Sequence, residues 1–362
     1  MKRSNPYLGM PRQQYWSDFQ KKLDNTAVPK SLWNSKFSIT SNSKIVSFGS
    51  CFAQHISNFL KQSGYNWLCT EDLPQRVPDE LAKSFGYRVF SCRTGNIYTP
   101  KMLNQWTSWS IKEAEVTLPI IQKGKKFLDP IRPTIESEGF KSPDEMKELR
   151  DFSFNCFYNA IHQADVFVFT LGLTESWRSK RTKEEYSICP LALGLDGISE
   201  EIEFYNHNIE STCSELHQAI DKINLINPNI NIILTVSPVP LIATQTDRHV
   251  LMATMESKMI LREACSRTMS NFKNVDYFPS YEIVTNPYDN FDYFEKDRRH
   301  VKSEGVARVM KQFKTAIEPY RKSDPDSPES TEIETAVEIS KSEEVCDEEL
   351  LVAFDNTGKE NA

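Results

Sequence analysis

Short apolar runs alternate with segments of helical periodicity through the middle of this sequence, and this alternation limits the folds that it can adopt. The pattern predicts strands at 44–48, 65–69, 166–171, 230–236 and 275–278, and helices at 52–62, 144–163, 208–226, 248–272 and 303–317. The strand runs are apolar throughout, which is typical of strands with helices on both faces. We therefore predict an α/β fold built on a five-stranded parallel sheet.

The polar motifs of the sequence follow the predicted strands. Gly49, Ser50 and Cys51 follow the first strand, TLGLTESW ends the third, and TVSPVPL ends the fourth. The loop DRRHVKSEG, which starts at Asp297, lies between the fifth strand and the last helix. In parallel α/β sheets, functional groups collect beyond the carboxyl ends of the strands, so these motifs predict one site at one edge of the sheet.

Cys51, His300 and Asp297 are the residue types of a nucleophile, a base and an orienting acid. Cys51 begins a predicted helix, where the helix dipole and the backbone N–H groups favour a thiolate. A spacing of three residues lets the Asp297 carboxylate reach Nδ1 of His300 while Nε2 faces the nucleophile. Ser50 is the alternative nucleophile. The sequence lacks G-x-S-x-G, a P-loop, H-E-x-x-H and G-x-G-x-x-G, which disfavours α/β-hydrolases proper, nucleotide sites and zinc proteases.

Composition divides the chain into a body and two polar ends. Residues 323–362 contain 13 acidic residues and two lysines, so a chain of net charge −7 has a mildly basic body and a strongly acidic tail. We expect residues 1–30 to form an arm and 31–321 a domain in which 71–150 is a less regular insertion or lid. The acidic tail, 322–362, is expected to be disordered. Its segment EEVCDEELLVAF has the pattern of a short amphipathic helix, so the tail is either solvated or a peptide that binds a protein partner.

The remaining composition bears on metals, membranes and compartment. The eight cysteines include no C-x-x-C pair, so neither zinc nor a redox dithiol is indicated, and most are expected to be buried thiols in a reducing compartment. No run of about 18 apolar residues predicts a membrane span. The N-terminus lacks the apolar core of a secretory signal. A weakly basic body does not indicate nucleic-acid binding, and we expect a cytoplasmic protein without a metal site.

Five motifs in order resemble a known family. They are GSCFA at residues 49–53, TGNIYTP at 94–100, TLGLTESW, SPVPL and the D-x-x-H that ends at His300. Together they resemble the GSCFA family, which is similar to the wider SGNH/GDSL hydrolase superfamily. The resemblance covers nearly all of the expected domain and implies a flavodoxin-like, three-layer α/β/α sandwich.

The resemblance implies which residue attacks. The superfamily has Gly-Asp-Ser where this chain has Gly49, Ser50 and Cys51, so by position the nucleophile is Cys51. If the match shifts by one residue, Ser50 attacks instead. Asp297 and His300 match the final motif unchanged.

The resemblance also implies an oxyanion site. Gly95 corresponds to a glycine whose N–H holds the oxyanion, and Thr174 stands where the superfamily has an asparagine donor. Asn96 or Thr174 is therefore expected to assist the N–H groups. Glu175 either lines the substrate cleft or orders its own loop, and Arg299 either binds an anionic donor or substrate or is a solvated loop charge.

These roles imply an esterase or an O-acyltransferase. Cys51 or Ser50 would attack an ester or a thioester, and the acyl group would pass to water or to a hydroxyl. The family resembles bacterial proteins associated with polysaccharides, which implies a glycan as one possible acceptor. A thiol nucleophile suits an acyl-thioester donor such as acyl-coenzyme A, and no metal or prosthetic cofactor is implied. The alternative is a non-catalytic module that binds a carbohydrate or a protein, and the change to Thr174 favours it.

Overall fold

Strands and helices alternate through the residues that the computed structural model describes, which are 5–17, 32–74, 76–136, 138–193, 201–288, 292–321 and 346–353. The strands are β1 (Ile45–Gly49), β2 (Ile121–Lys123), β3 (Lys126–Leu128), β4 (Val166–Leu171), β5 (Glu175–Ser179), β6 (Glu185–Tyr186), β7 (Ile202–Asn206), β8 (Asn231–Val236) and β9 (Val275–Phe278). The α-helices are α1 (Ala53–Gln62), α2 (Asp79–Ser84), α3 (Pro100–Ser110), α4 (Pro143–Gln163), α5 (Ile209–Ile226), α6 (Val250–Asn271), α7 (Ser280–Thr285), α8 (Ser303–Arg321) and α9 (Leu350–Ala353). Single 3₁₀ turns form at Arg12–Gln14, Pro190–Leu193 and Asp347–Glu349.

The central sheet is parallel and has four strands in the order β1-β4-β8-β9 within the described residues. Strand β4 pairs with β1 from Ile45↔Val166 to Gly49↔Thr170 and pairs with β8 on its other side. The predicted parallel α/β sheet is therefore confirmed. Its strands agree with four of the five predicted ones to within a residue or so.

The second of the five predicted strands, at 65–69, is wrong. Trp67 makes only an isolated parallel bridge to Ile45 at the edge of the sheet. Three residues later the Thr70 N–H donates to the Ser91 carbonyl at 2.8 Å. By Thr70 the chain has turned away from β1. The bridge between Trp67 and Ile45 is therefore not continued by further pairs, and no strand forms.

Two hydrophobic clusters cover the two faces of the sheet. On one face, Phe48 and Phe167 pack with helices α3, α4, α5 and α6, and Trp106 is fully buried there. On the other face, side chains such as Ile56 of α1 and Phe313 of α8 pack with α7 and the opposite side of the same strands. The apolar runs of the sequence follow from this three-layer arrangement, because every core strand has helices on both sides.

Helix α3 shows that part of the stretch 71–150 belongs to the main core. Thr99 caps the helix by accepting a hydrogen bond from the Met102 N–H, and Pro100 occupies the first turn, where its missing N–H costs nothing. Trp106 packs against Phe157 of α4, with ring centroids 5.6 Å apart. A lid role for the rest of the stretch stays a prediction.

A second, antiparallel sheet follows β4 and was not predicted. Its order is β6-β5-β7, and Trp177 of β5 faces Tyr186 on one side and Phe204 on the other. The sequence of β5 is ESWRS, which lacks an apolar pattern. Pairing with a segment well over 20 residues away makes it a strand, so local pattern could not identify it.

The two ends of the chain differ from the expectation in one respect. Of the expected arm, residues 5–17 are described, and the Trp16 ring packs edge-on against Tyr288 at 5.0 Å. The expectation of a disordered tail is wrong for 346–353, because this segment is helical and Cys346 and Asp347 are buried. The rest of the tail lies outside the described residues.

Candidate active site

The turn after β1 places Ser50 and Cys51 at the carboxyl edge of the sheet. Gly49 has a φ of +135°, and a Cβ at this position would lie 2.3 Å from the carbonyl oxygen of Thr170. Only glycine fits that backbone and that approach. The Ser50 N–H donates to the same carbonyl at 3.0 Å, and Cys51, two residues before α1 begins, has 2% of its surface exposed.

Ser50 lies beneath the loop that follows β4. A Cβ on Gly172 would come within 3.0 Å of the Ser50 Cβ, and the Gly172 N–H donates to the Tyr98 carbonyl at 2.9 Å. Among the described residues the buried Ser50 hydroxyl has no hydrogen-bond partner. Ser50 thus fills the space that Gly172 leaves open.

Asp297 and His300 form a pair in the loop before α8. The Asp297 carboxylate contacts Nδ1 of His300 and accepts hydrogen bonds from the backbone N–H groups of Arg299 and His300 at 3.0 and 3.1 Å. Partial burial opposes ionisation, but these hydrogen bonds lower the pKa of Asp297 to about 2. The hydrogen bond to Asp297 raises the pKa of His300. Nε2 of His300 faces the Glu349 Oε1 at 3.1 Å.

Arg299 lies between this pair and the cysteine turn. Its Nη2 donates to the Cys346 Sγ at 3.3 Å and to the Glu348 Oε2 at 3.0 Å. Burial disfavours the charged form, but the charge of Glu348 outweighs it and raises the pKa of Arg299. Cys51 is also within electrostatic range of this guanidinium. Arg299 is therefore a buried site cation rather than a solvated loop charge.

The sulfur atoms of Cys51 and Cys346 lie 3.6 Å apart. Cys346 begins the segment 346–353, which we call the docked segment. Three residues later the same segment contacts His300 through Glu349. The docked segment thus spans the distance from the candidate nucleophile to the candidate base.

The loop with Gly95 and Asn96 holds Asp347, the second residue of the docked segment. Nδ2 of Asn96 donates to the Asp347 Oδ2 at 2.9 Å, and the Thr134 hydroxyl donates to Oδ1 at 2.8 Å. Burial raises the pKa of Asp347 against these hydrogen bonds. Gly95 has a φ of +66° and lines the small cleft beside this carboxylate. The predicted oxyanion donor Asn96 therefore holds a carboxylate oxygen.

Thr174 and Glu175 bind neighbouring elements. The Thr174 hydroxyl donates to the Asn206 Oδ1 at 2.7 Å, and its N–H donates to the Ser257 hydroxyl at 3.0 Å. Glu175 accepts a hydrogen bond from the Thr244 hydroxyl at 2.5 Å. Both residues fix the loop between β4 and β5 to its surroundings, and their roles toward an oxyanion or a substrate stay predictions.

Lys258 of α6 is a site residue that sequence reasoning missed. It is almost fully buried, and its Nζ donates to the Gly172 carbonyl at 2.6 Å. Burial lowers the pKa of Lys258 to about 8, partly offset by the charges of Glu348 and Cys51. No local motif marks this lysine, because only the packing of α6 against the strand ends brings it to the site.

The docked segment was missed for a similar reason. The sequence pattern did predict a short helix around Leu350, but it could not show where the helix binds. Cys346 is the only cysteine after 322, and it precedes three consecutive acidic residues. A cysteine followed by acidic residues is complementary to the basic loop around Arg299. This complementarity was the signal in the sequence that could have indicated the contact.

In the part of the chain that the structure describes, no group of three or more His, Cys, Asp or Glu side chains could hold a metal ion. Within the same ranges, no helix has the length and apolar character that crossing a membrane requires.

A comparison with known families agrees with the sequence motifs. The family model for the GSCFA family matches residues 44–313, well over half of the chain, so the chain belongs to the GSCFA family. The resemblance stated from the sequence is confirmed. No curated protein matches this sequence.

Several solved structures are distantly similar. A peptidoglycan O-acetylesterase is 15% identical with a TM-score of 0.29, and the match covers 49% of this chain and 44% of that one. The salicylyl-acyltransferase of a tetracycline biosynthetic pathway is 14% identical with a TM-score of 0.27, covering 45% and 40%. A carbohydrate esterase of family 3 from Talaromyces cellulolyticus is 13% identical with a TM-score of 0.26, covering 62% and 93%. The chain therefore spans less than two thirds of the first two structures.

Proposed function

We propose that this protein is an esterase or O-acyltransferase in which Cys51 attacks an ester or thioester, His300 is the base and Asp297 orients the base. The observation that carries the proposal is that one short segment, 346–349, touches both Cys51 and His300. Two groups contacted by four consecutive residues lie within reach of one short segment. When the docked segment leaves, a substrate of similar size can reach both.

The side chains have the properties that each role needs. Asp297 holds Nδ1 of His300, so Nε2 is the nitrogen that accepts a proton from the nucleophile. Arg299 provides positive charge near Cys51, and a thiolate rather than a thiol is the reactive form of cysteine. The pair of carboxylate and imidazole is half exposed, so water or an alcohol acceptor can reach it.

The reaction runs in two steps. The Cys51 sulfur attacks the acyl carbonyl, Nε2 of His300 takes the thiol proton, and the same nitrogen returns it to the leaving group. The backbone N–H groups of Cys51 and Gly95 and the amide of Asn96 stabilise the oxyanion. In the second step His300 removes a proton from water or an alcohol, which attacks the thioester and releases Cys51.

The binding of Asp347 supports the placing of the oxyanion site. Asn96 already holds an anionic oxygen, and the Asn96 backbone also hydrogen-bonds to that carboxylate. Donors that hold a carboxylate oxygen suit a negatively charged tetrahedral oxygen. A thioester donor is the favoured substrate class. Transfer of the acyl group from such a donor to Cys51 exchanges one thioester for another and is nearly balanced in energy. Arg299 is also available to bind an anionic part of the donor.

The experiment is intact-protein mass spectrometry after incubation with a panel of acyl thioesters and activated esters. We expect an acyl adduct on Cys51 that is absent in Cys51→Ala and that forms at least about 100-fold more slowly in His300→Ala. Ser50→Ala is the matched control and should keep the adduct. An adduct lost in Ser50→Ala but kept in Cys51→Ala would assign the hydroxyl instead. The panel is repeated with Glu348→Gln, in which the docked segment should be released. If no substrate acylates either residue there, the protein is a binding module.

A further inference from the structure

The docked segment makes a set of specific contacts within the candidate site. Cys346 faces Cys51, Asp347 is held by Asn96, and Glu348 is held by Arg299. Asp347 and Glu348 are 3% and 7% exposed. Buried carboxylates are costly unless they are paired and hydrogen-bonded, and here each has a dedicated partner.

The two thiols are arranged for reaction with each other. Their sulfur atoms are 3.6 Å apart, and a disulfide bond needs them to approach by about 1.5 Å more. Cys346 lies at the start of a short segment that ends the described chain, so a small side-chain and backbone adjustment can supply this movement. The guanidinium of Arg299 donates to the Cys346 sulfur at 3.3 Å, which favours the thiolate there. The pKa of Cys346 is lowered chiefly by its hydrogen bond with Cys51 and also by Arg299, against the effects of burial and of the Glu348 charge.

We propose that Cys51 and Cys346 are a redox pair, and that hydroperoxides join them in a disulfide that locks the docked segment across the candidate site. The first step oxidises Cys346. Its thiolate attacks one oxygen of the peroxide, the O–O bond breaks, and the departing hydroxide takes up the proton that the Cys346 thiol had lost and leaves as water. Cys346 is then a sulfenic acid.

The second step forms the cross-link. The Cys51 thiolate attacks the Cys346 sulfur, the S–O bond breaks, and the hydroxide that leaves takes up the proton that Cys51 lost. Two thiols and one hydrogen peroxide thus become one disulfide and two waters. A thiol reductant reverses the reaction by exchange.

A cleft lies close to the docked segment. It is lined by Glu348 and Leu351 of that segment and by Tyr98, which is within electrostatic range of Cys51 and Cys346. Hydrogen peroxide is scarcely larger than water and can enter such a cleft. The other cysteines lack this setting, and burial raises the pKa of Cys92 and Cys265, which disfavours their thiolates.

The consequence for activity rests on the proposed function, but the disulfide does not. If Cys51 is the nucleophile, oxidation removes it from catalysis and fixes the segment over the cleft, while protecting the sulfur from irreversible oxidation. If the acyl-transfer proposal fails, the two thiols remain close and the cross-link is still expected.

The test is peptide mapping of the full chain after titration with hydrogen peroxide near neutral pH, alkylation of remaining thiols and digestion without reductant. We expect the peptide containing Cys51 linked to the one containing Cys346, as the dominant cross-link, and its loss on adding dithiothreitol. Cys346→Ser should abolish the link and leave Cys51 over-oxidised, whereas Cys213→Ser should behave as wild type. The wild-type map needs no variant, so it decides the question even if a substitution disturbs folding. Oxidation without the 51–346 link, or cross-links spread over other cysteines, would overturn the proposal.

Discussion

At the scale of single residues, the site depends on close approaches that permit only small side chains. Gly49 and Gly172 let β1 and the loop after β4 come together, and Ser50 fills the space between them. This contact fixes the turn that carries Cys51, whose own side chain packs in the hydrophobic cluster formed with α1 and α8. The local sequence GSC indicates a strand-to-helix turn, but the second glycine lies more than 100 residues away.

Replacing Gly49 by alanine tests this arrangement. The added Cβ would meet the Thr170 backbone in a conformation with positive φ, so we expect a loss of about 3 kcal/mol or more in the free energy of unfolding. Gly64 is the matched control, because it also has positive φ but nothing lies within 4 Å of its Cβ position. Gly64→Ala should cost about 1 kcal/mol. Urea denaturation measures both, and equal costs would contradict the steric explanation.

At the scale of elements, a buried ion network fixes the loop that carries Gly95 and Asn96. Arg132 donates to the Asp129 carboxylate at 2.9 Å and to the Arg93 carbonyl at 2.9 Å. The Arg93 N–H in turn donates to the Glu71 carboxylate at 2.9 Å. Charged side chains from other parts of 71–150 therefore position this loop. The irregular sequence pattern of that stretch did not predict the network.

Asp129→Asn tests the network. Asp129 is fully buried and also accepts from Arg150, so removing its charge leaves two poorly compensated buried guanidinium groups. We expect a loss of about 3–5 kcal/mol in unfolding free energy. Glu203→Gln, in partly exposed ion pairs with Arg178 and Lys183, should change the unfolding free energy by less than about 1 kcal/mol. Chemical denaturation of both variants gives the comparison. A loss of less than about 1 kcal/mol in Asp129→Asn would mean that packing alone fixes the loop.

At the scale of the whole molecule, the acidic docked segment lies against the edge of the sheet that carries the candidate site. The body is mildly basic and the end is acidic, and their contact is concentrated at Arg299, which pairs with Glu348 at 3.0 Å. The half-exposed Glu349 lies 3.7 Å from the same guanidinium. Neighbouring acidic residues should therefore contribute very unequally to the docking.

Glu348→Gln should release the docked segment, because it removes the buried charge partner of Arg299 and leaves only the half-exposed Glu349 at 3.7 Å. We expect Cys51 to react with iodoacetamide roughly tenfold faster in this variant, as local opening becomes more frequent. Glu349→Gln removes an exposed charge next to it and should leave the rate within about twofold of wild type. Peptide-resolved alkylation rates measure both. Unchanged reactivity in Glu348→Gln would show that the segment does not shield Cys51.

The sequence by itself determined the parallel α/β core, four of its strands, its long helices, the edge at which polar groups collect and the Asp297–His300 pair. These follow from local patterns, because apolar periodicity and residue spacing act over a few residues. Tertiary structure alone decided the four-strand limit of the main sheet, the second sheet, the burial of Lys258 and Arg299, and the position of Cys346 beside Cys51. Each of these features depends on which distant segments of the chain come into contact. The free energy of burying a charge or of placing two thiols together is set by these long-range contacts and not by the residues adjacent in sequence.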